Sequence, residues 1–159
     1  QSRSSAASDV YKRQVLQVKD TNGPKEFGLE NKQMKKVSIF MDVFDCHVNR
    51  SPCSGAISEI LYKPGKFFNA SLDKASEDNE RNYYRIRNSD GKDIIVVQIA
   101  GLVARRIVTE VSKDELVDQG SRIGMIRFGS RADMYFEDYT PLVKVDQKTI
   151  AGETLIAKK

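Results

Sequence analysis

One histidine, two cysteines and four prolines are all that the 159 residues contain of those types. A single imidazole excludes a histidine-rich metal site. Two thiols, Cys46 and Cys53, are too few for a disulfide framework or a cysteine zinc site, and both read as reduced, buried side chains. No metal is therefore expected. Long hydrophobic runs are missing as well: the longest, 94–104, has eleven residues, is broken by Gln98 and is stopped by Arg105 and Arg106. About 20 apolar residues are needed to cross a bilayer as a helix, so this run reads as a buried strand. The sequence has no P-loop, no dinucleotide-binding glycine pattern and no HExxH motif. It has no basic patch with interleaved aromatics, so nucleic acid is not expected as a partner. Lys113-Asp114-Glu115-Leu116 would be a retention signal only at a C-terminus, and the Asn-x-Ser triplets at Asn49 and Asn69 are chance matches.

What is present is an ordinary globular composition, 40% hydrophobic and 30% charged, which argues against a disordered chain. The length fits one domain able to bury roughly 70% of its unfolded surface. The formal charge is +4 and the pI about 9.0. Residues 1–14, QSRSSAASDVYKRQ, differ in composition from the rest, being rich in serine and alanine with no strand or helix period. They read as a translated adapter-like segment, expected to be disordered and set aside from the fold. Without their three basic residues and one acid the charge falls to +2, so the pI says little about partners. The domain proper is expected over 15–159.

From Val15 onward the pattern is strand and turn. Strands are expected over 15–18, 37–41, 56–62, 82–87, 93–99, 107–111, 122–128, 133–136 and 142–145, with 93–99 central because it is the most apolar. Turn signals recur every eight to fifteen residues, a spacing that favours an all-β sandwich or barrel over βαβ units. Helix is expected only in short pieces, 70–80 and 101–106. In 111–126, Lys113-Asp114 and Gly120 make turns while Leu116 and Val117 point inward. This segment resembles the hairpins of biotinyl- and lipoyl-carrier domains, flattened barrels of the barrel-sandwich hybrid type. The resemblance is to the fold only, because the lysine-bearing tip for a prosthetic group is missing. Gly55-x-Ile57-x-x-Ile60 before Pro64-Gly65 has a similar character and is read as a quasi-repeat.

Four blocks are distinctive together: FDCHVNRSP over 44–52; PGKFFNA over 64–70 running on through DKASEDNERN over 73–82; QIAGLVARRI over 98–107; and RFGSR over 127–131. In content, order and spacing, over about 15–157, they resemble the short bacterial form of phosphatidylserine decarboxylase, a pyruvoyl-dependent family. The resemblance implies an inactive proenzyme that cuts itself between Gly129 and Ser130, giving chains 15–129 and 130–159 that stay together. The Ser130 hydroxyl attacks the Gly129 carbonyl and turns the amide into an ester. Loss of the Ser130 α-proton then expels the ester, and hydrolysis leaves a pyruvoyl group with no metal involved. Glycine at 129 permits close approach, and serine at 130 supplies both the nucleophile and the carbon that becomes a ketone. That ketone takes the amine of phosphatidylserine as a Schiff base and serves as the electron sink for loss of carbon dioxide, yielding phosphatidylethanolamine.

His47, the only imidazole, is the acid–base candidate. Long-form relatives carry D-x-H-x-x-H; Arg50 stands at the second histidine position here, leaving open whether His47 serves cleavage, decarboxylation or both. Arg105, Arg106 and Arg131 are candidates for the lipid phosphate or the serine carboxylate, which guanidinium binds bidentately, and Arg127 is a similar candidate. The family has a Pro-Ala-Asp-Gly-like turn just before the first strand, whose Asp is expected in the proton relay; this chain reads Tyr11-Lys12-Arg13-Gln14 there. The resemblance further implies a peripheral enzyme on the cytoplasmic face of a bacterial inner membrane, with an upstream anchor missing from this chain and a homodimer possible through edge pairing. Two other readings remain at this stage: a non-catalytic carrier-like barrel that binds a partner, and a pyruvoyl decarboxylase of another serine-headed lipid or an amino acid.

Overall fold

A computed structural model describes residues 13–41, 48–72, 75–102, 106–126, 129–149 and 155–158. The expected all-β architecture is what forms. The strands are β1 (Arg13–Asn22), β2 (Gln33–Met41), β3 (Val48–Arg50), β4 (Gly55–Lys63), β5 (Arg81–Asn88), β6 (Asp93–Ile99), β7 (Ile107–Thr109), β8 (Leu116–Val117), β9 (Arg122–Ile126), β10 (Ser130–Phe136), β11 (Thr140–Pro141), β12 (Lys148–Thr149) and β13 (Ala157–Lys158). The sole α-helix among the described residues is the four-residue turn α1 (Ala75–Asp78). None of the helices found there is long and apolar enough to cross a membrane.

Eight strands form one antiparallel sheet, β12-β1-β2-β10-β6-β5-β4-β8, curled into a half-barrel. The three-stranded sheet β3-β9-β7 covers its inner face, and β11-β13 form a separate pair. β6 is internal, as its composition requires: all seven of its residues are buried, so both faces must be covered. On the inner face Ile94 packs with Val15, Val37, Phe136 and Val143, while Val96 packs with Ile57, Tyr84, Ile86 and Ile123. On the outer face Ile95, Val97 and Ile99 pack with Met34 and Tyr83 under Phe27 and Leu29. Gly124 of β9 lies so close to the main sheet that a Cβ there would stand 2.5 Å from Gln98 Nε2 and 2.6 Å from the Tyr84 hydroxyl.

Several local expectations differ from the structure. β1 begins at Arg13, inside the adapter-like segment: Arg13 pairs with Met41 and Thr149, and Gln14 with Phe40 and Lys148. Residues 142–145 are not a strand. The chain turns there instead, with Asp146 at φ 69°. The stretch 70–80 yields a single helical turn, because Asn79 uses its side chain to hold neighbouring backbone. Leu116 is 81% exposed rather than inward, whereas Val117 is buried. The segment read as a quasi-repeat lies beside its counterpart, Gly55 opposite Val117 and Ala56 opposite Leu116.

Candidate active site

Ser130 opens β10 and is fully buried. Side chains alternate along a strand, and Ala132 stands directly opposite Gln98, so Ser130 shares the inner face with Gln98. Its cross-strand neighbour is Met41, which in turn faces Arg13. The Ser130 hydroxyl has no hydrogen-bond partner among the described residues. A buried, unpaired hydroxyl costs about 1–3 kcal/mol, which a fold tolerates chiefly at sites of chemistry. The preceding Gly129 has φ +63°, the left-handed region, with open space where a Cβ would be. Glycine is required there by conformation, since another residue would be strained by roughly 1–2 kcal/mol.

A buried polar chain runs along the inner face from this point. Asn49 on β3 accepts a hydrogen bond from Gln98 Nε2 at 2.9 Å and donates to Met41 Sδ at 3.8 Å. Gln98 Oε1 accepts from Asn82 Nδ2 at 3.3 Å, and the single proton of the Tyr84 hydroxyl is shared between Gln98 Oε1 at 2.7 Å and the Ile123 carbonyl at 3.1 Å. Burial pushes the Tyr84 pKa up, which keeps the phenol a neutral donor.

Arg131 points to the other face and is the largest fully buried side chain. Its Nε donates to Asp133 Oδ1 at 2.7 Å, its Nη2 to Ser38 Oγ at 2.9 Å and its Nη1 to the Leu72 carbonyl at 3.4 Å. Lys36 meets the other oxygen, Asp133 Oδ2, at 3.2 Å. Burial works to raise the Asp133 pKa, but the charges of Arg131 and Lys36 and the hydrogen bonds of Arg131 and Ser38 outweigh it and hold the carboxyl below its ordinary value. Removing one partner from a buried ion pair leaves uncompensated charge. Asp133→Ala is therefore expected to lower the unfolding free energy by about 3–5 kcal/mol, measured by urea denaturation in a Ser130→Ala background so that chain cutting does not intrude. Because the folded pKa is depressed, the stability Asp133 brings is complete above about pH 4 and is lost as pH falls through the folded value.

The other candidates are placed as follows. Arg106 is exposed beside β7. His47, Arg105 and Arg127 lie outside the described residues; His47 immediately precedes β3 in the chain. Arg50, at the position of the second histidine of long-form relatives, donates through Nη1 to the Gly120 carbonyl at 2.9 Å. Cys53 is half-buried, and burial pushes its thiol pKa up to about 11, so it is a packed side chain rather than a nucleophile. Sequence reasoning missed two residues that frame the site. Asn79, 1% exposed, donates to the carbonyls of Phe68 at 2.8 Å and Ala100 at 2.7 Å and accepts from the Phe68 amide at 2.9 Å. Asp133 was read only as a strand residue. For Asn79 the available signal was its place in the 73–82 block; for Asp133 it was a charged residue inside an apolar strand.

The sequence profile of phosphatidylserine decarboxylase matches residues 2–157. The chain belongs to that family. It is 74% identical over 146 residues to the phosphatidylserine decarboxylase proenzyme of Pelagibacter ubique, covering 92% of this chain and 68% of the relative. Identity to the proenzyme of Ruegeria pomeroyi is 53% over 144 residues, 90% of this chain and 66% of that one. For Cereibacter sphaeroides it is 56% over 135 residues, 84% and 58%. The chain thus spans about two thirds or less of the curated relatives it matches. No solved structure matches it. The family is one of carboxy-lyases acting on a phospholipid, and the name proenzyme marks those relatives as precursors that are cut to become active.

Proposed function

We propose that the protein decarboxylates phosphatidylserine to phosphatidylethanolamine by means of a pyruvoyl group that it makes from its own Ser130. The observation that carries this reading is the buried Ser130 hydroxyl, without a partner among the described residues, directly after a left-handed Gly129. A group built on residue 130 fits that position: it needs a carbonyl carbon within reach of the hydroxyl and a site shielded from bulk water, and Ser130 is 0% exposed. The pyruvoyl group, once formed, supplies an electrophilic ketone and an electron sink. The chain's own residues do the rest. Ser130 Oγ adds to the Gly129 carbonyl carbon while a base takes its proton, and His47 is that base or the acid that returns a proton to the substrate carbon. Arg105 and Arg106 are the cations for the anionic headgroup, Arg106 standing exposed beside β7. Arg131 acts from within, holding β10 to Ser38 and to the Leu72 carbonyl.

The topology supports chains that remain together after cutting. β10 hydrogen-bonds to β2 on one side and β6 on the other, so the 130–159 product stays woven into the sheet. Leu72 and Leu102, 45% and 58% exposed, stand on loops next to the site, which suits a peripheral enzyme drawing its lipid from a bilayer.

The register supports a part for the family's motif Asp, whose position Arg13 occupies here. Arg13, Met41 and Ser130 lie in one row across β1, β2 and β10, and Arg13 Nη2 reaches the Val48 carbonyl at 2.6 Å, one residue past His47. A base works best when a third group orients it. The triple change Lys12→Ala, Arg13→Asp and Gln14→Gly is expected to speed cutting by at least about 10². Intact-mass analysis of protein from the expressing cell reads this directly: two chains split after Gly129, the shorter one blocked to Edman degradation. A repaired chain that stays whole sinks the enzyme reading, and equal rates with and without the repair sink the role of the Asp.

A further inference from the structure

The scissile peptide rests on a glycine to which the chemistry above gives no part. Gly101 follows β6 and is buried. A Cβ built on it would overlap the Gly129 carbonyl oxygen and stand 3.0 Å from the Gly129 carbonyl carbon, with Ala70 Cβ next at 3.4 Å. Gly101 is not among the positive-φ residues, so its backbone would accept any side chain. Space alone demands glycine.

The wall behind this contact is fixed. Ala100 donates its amide to the Glu80 carbonyl at 3.0 Å and accepts from Asn79 Nδ2 at 2.7 Å. Asn79 also grips the Phe68 backbone through both donor and acceptor, and Ala70 and Ala100 are fully buried. Gly129, by contrast, is only half-buried and has open space on its Cβ side. A methyl group at 101 would therefore move the Gly129 carbonyl and leave the wall in place.

We infer that Gly101 is a positioning residue for self-cleavage, its bare Cα being the floor on which the Gly129 carbonyl is seated for attack. The inference rests on the reading that the chain cuts between Gly129 and Ser130. In the step concerned, the bond from Ser130 Oγ to the Gly129 carbonyl carbon forms, the bond from that carbon to the Ser130 nitrogen breaks, and the hydroxyl proton ends on that nitrogen. The amide becomes an ester with no other reactant. Attack on a carbonyl is narrowly directional, and a displacement near 1 Å costs about 10²-fold in rate.

The test compares Gly101→Ala with its parent, in whichever cuts faster of the chain itself and its form carrying Lys12→Ala, Arg13→Asp and Gln14→Gly. Cutting is followed by intact mass, folding by thermal denaturation, and the ester by added hydroxylamine, which cleaves an ester but leaves the amide whole. Expected is a variant that melts near the parent, cuts about 10²-fold more slowly and gains no cutting from hydroxylamine, because the ester does not form. The pair Ala70→Gly with Gly101→Ala, which makes room behind the new methyl, should recover much of the rate; if Gly101→Ala alone does not fold, this pair carries the test. A folded Gly101→Ala variant that cuts at the parent rate overturns the inference. So does one that hydroxylamine cuts as fast as the parent, or a folded pair that remains uncut. Were neither parent to cut, with or without hydroxylamine, the cleavage reading itself would fail and this inference with it.

Discussion

Ser130→Ala is expected to leave the chain whole and to abolish decarboxylation entirely. The two losses have one origin. Alanine lacks the oxygen that attacks the Gly129 carbonyl, and it lacks the leaving group whose expulsion turns residue 130 into a ketone. The variant should nonetheless fold at least as well as its parent. The Ser130 hydroxyl is buried with no hydrogen-bond partner among the described residues, so removing it also removes a desolvation penalty of about 1–3 kcal/mol. An uncut chain with a raised urea midpoint is thus the expected signature. Ser130→Cys should cut slowly, since a thiol makes the same acyl shift. Decarboxylation by a homogeneous Ser130→Ala protein would refute the pyruvoyl assignment, and a collapse in its stability would show that the hydroxyl has a structural task.

The core was legible because β6 declares itself. A run of seven residues buried on both faces can only be an internal strand, and the strands around it follow period-two patterns between turn residues. What escaped were elements defined by side chain-to-backbone bonds. Residues 70–80 carry charged, helix-compatible residues, but Asn79 bonds to Phe68 and Ala100, which lie far from it in the chain. Local propensity cannot foresee a competitor supplied by tertiary contact. Residues 142–145 are mostly apolar and β-branched like a strand, yet only the Leu142 amide, bonded to the Ile156 carbonyl, carries on the β11–β13 pairing before the chain turns at the left-handed Asp146. Leu116 reads as inward because apolar residues usually are; it sits on the two-residue edge strand β8, where one face is left uncovered by the described residues.

At the site, Gly129 and Ser130 were legible only through the blocks around them, since an isolated glycine-serine pair is an ordinary turn. Arg131 was legible as a cation beside the cut but not as a buried one. Asp133, two residues on, shares its face of β10, but Ser38 reaches the pair only through the register of β10 against β2, in which Asp133 stands opposite Ser38. Register is a property of strand pairing, and no spacing within one strand encodes it. Gly101 stood within a block without a task of its own, because what sets it apart is the room it leaves for the Gly129 carbonyl, a contact distant in sequence.

His47→Ala is expected to reduce decarboxylation by about 10²–10⁴-fold if His47 only returns a proton to the substrate carbon and to abolish it if His47 takes the Ser130 proton, and the state of the chain identifies which proton it handles. The requirement for a base is physical: a serine hydroxyl is a weak nucleophile until its proton is taken. The described residues offer Ser130 no such partner. Asn49, Gln98 and Asn82 on the same face are amides, which do not titrate near neutral pH, and burial keeps the Tyr84 phenol there neutral. The buried carboxylate of Asp133 faces the other side of the sheet and is held by Arg131 and Lys36. The chain holds one imidazole, the side chain whose ordinary titration lies near neutral pH, and it immediately precedes β3, the strand whose Asn49 touches Met41 opposite Ser130. If His47 takes the Ser130 proton, the variant stays uncut, and added imidazole should restore part of the cutting. If it only returns a proton to the substrate carbon, the variant cuts normally and fails at turnover. Normal cutting together with normal turnover would make His47 a structural residue and require another proton carrier for both steps.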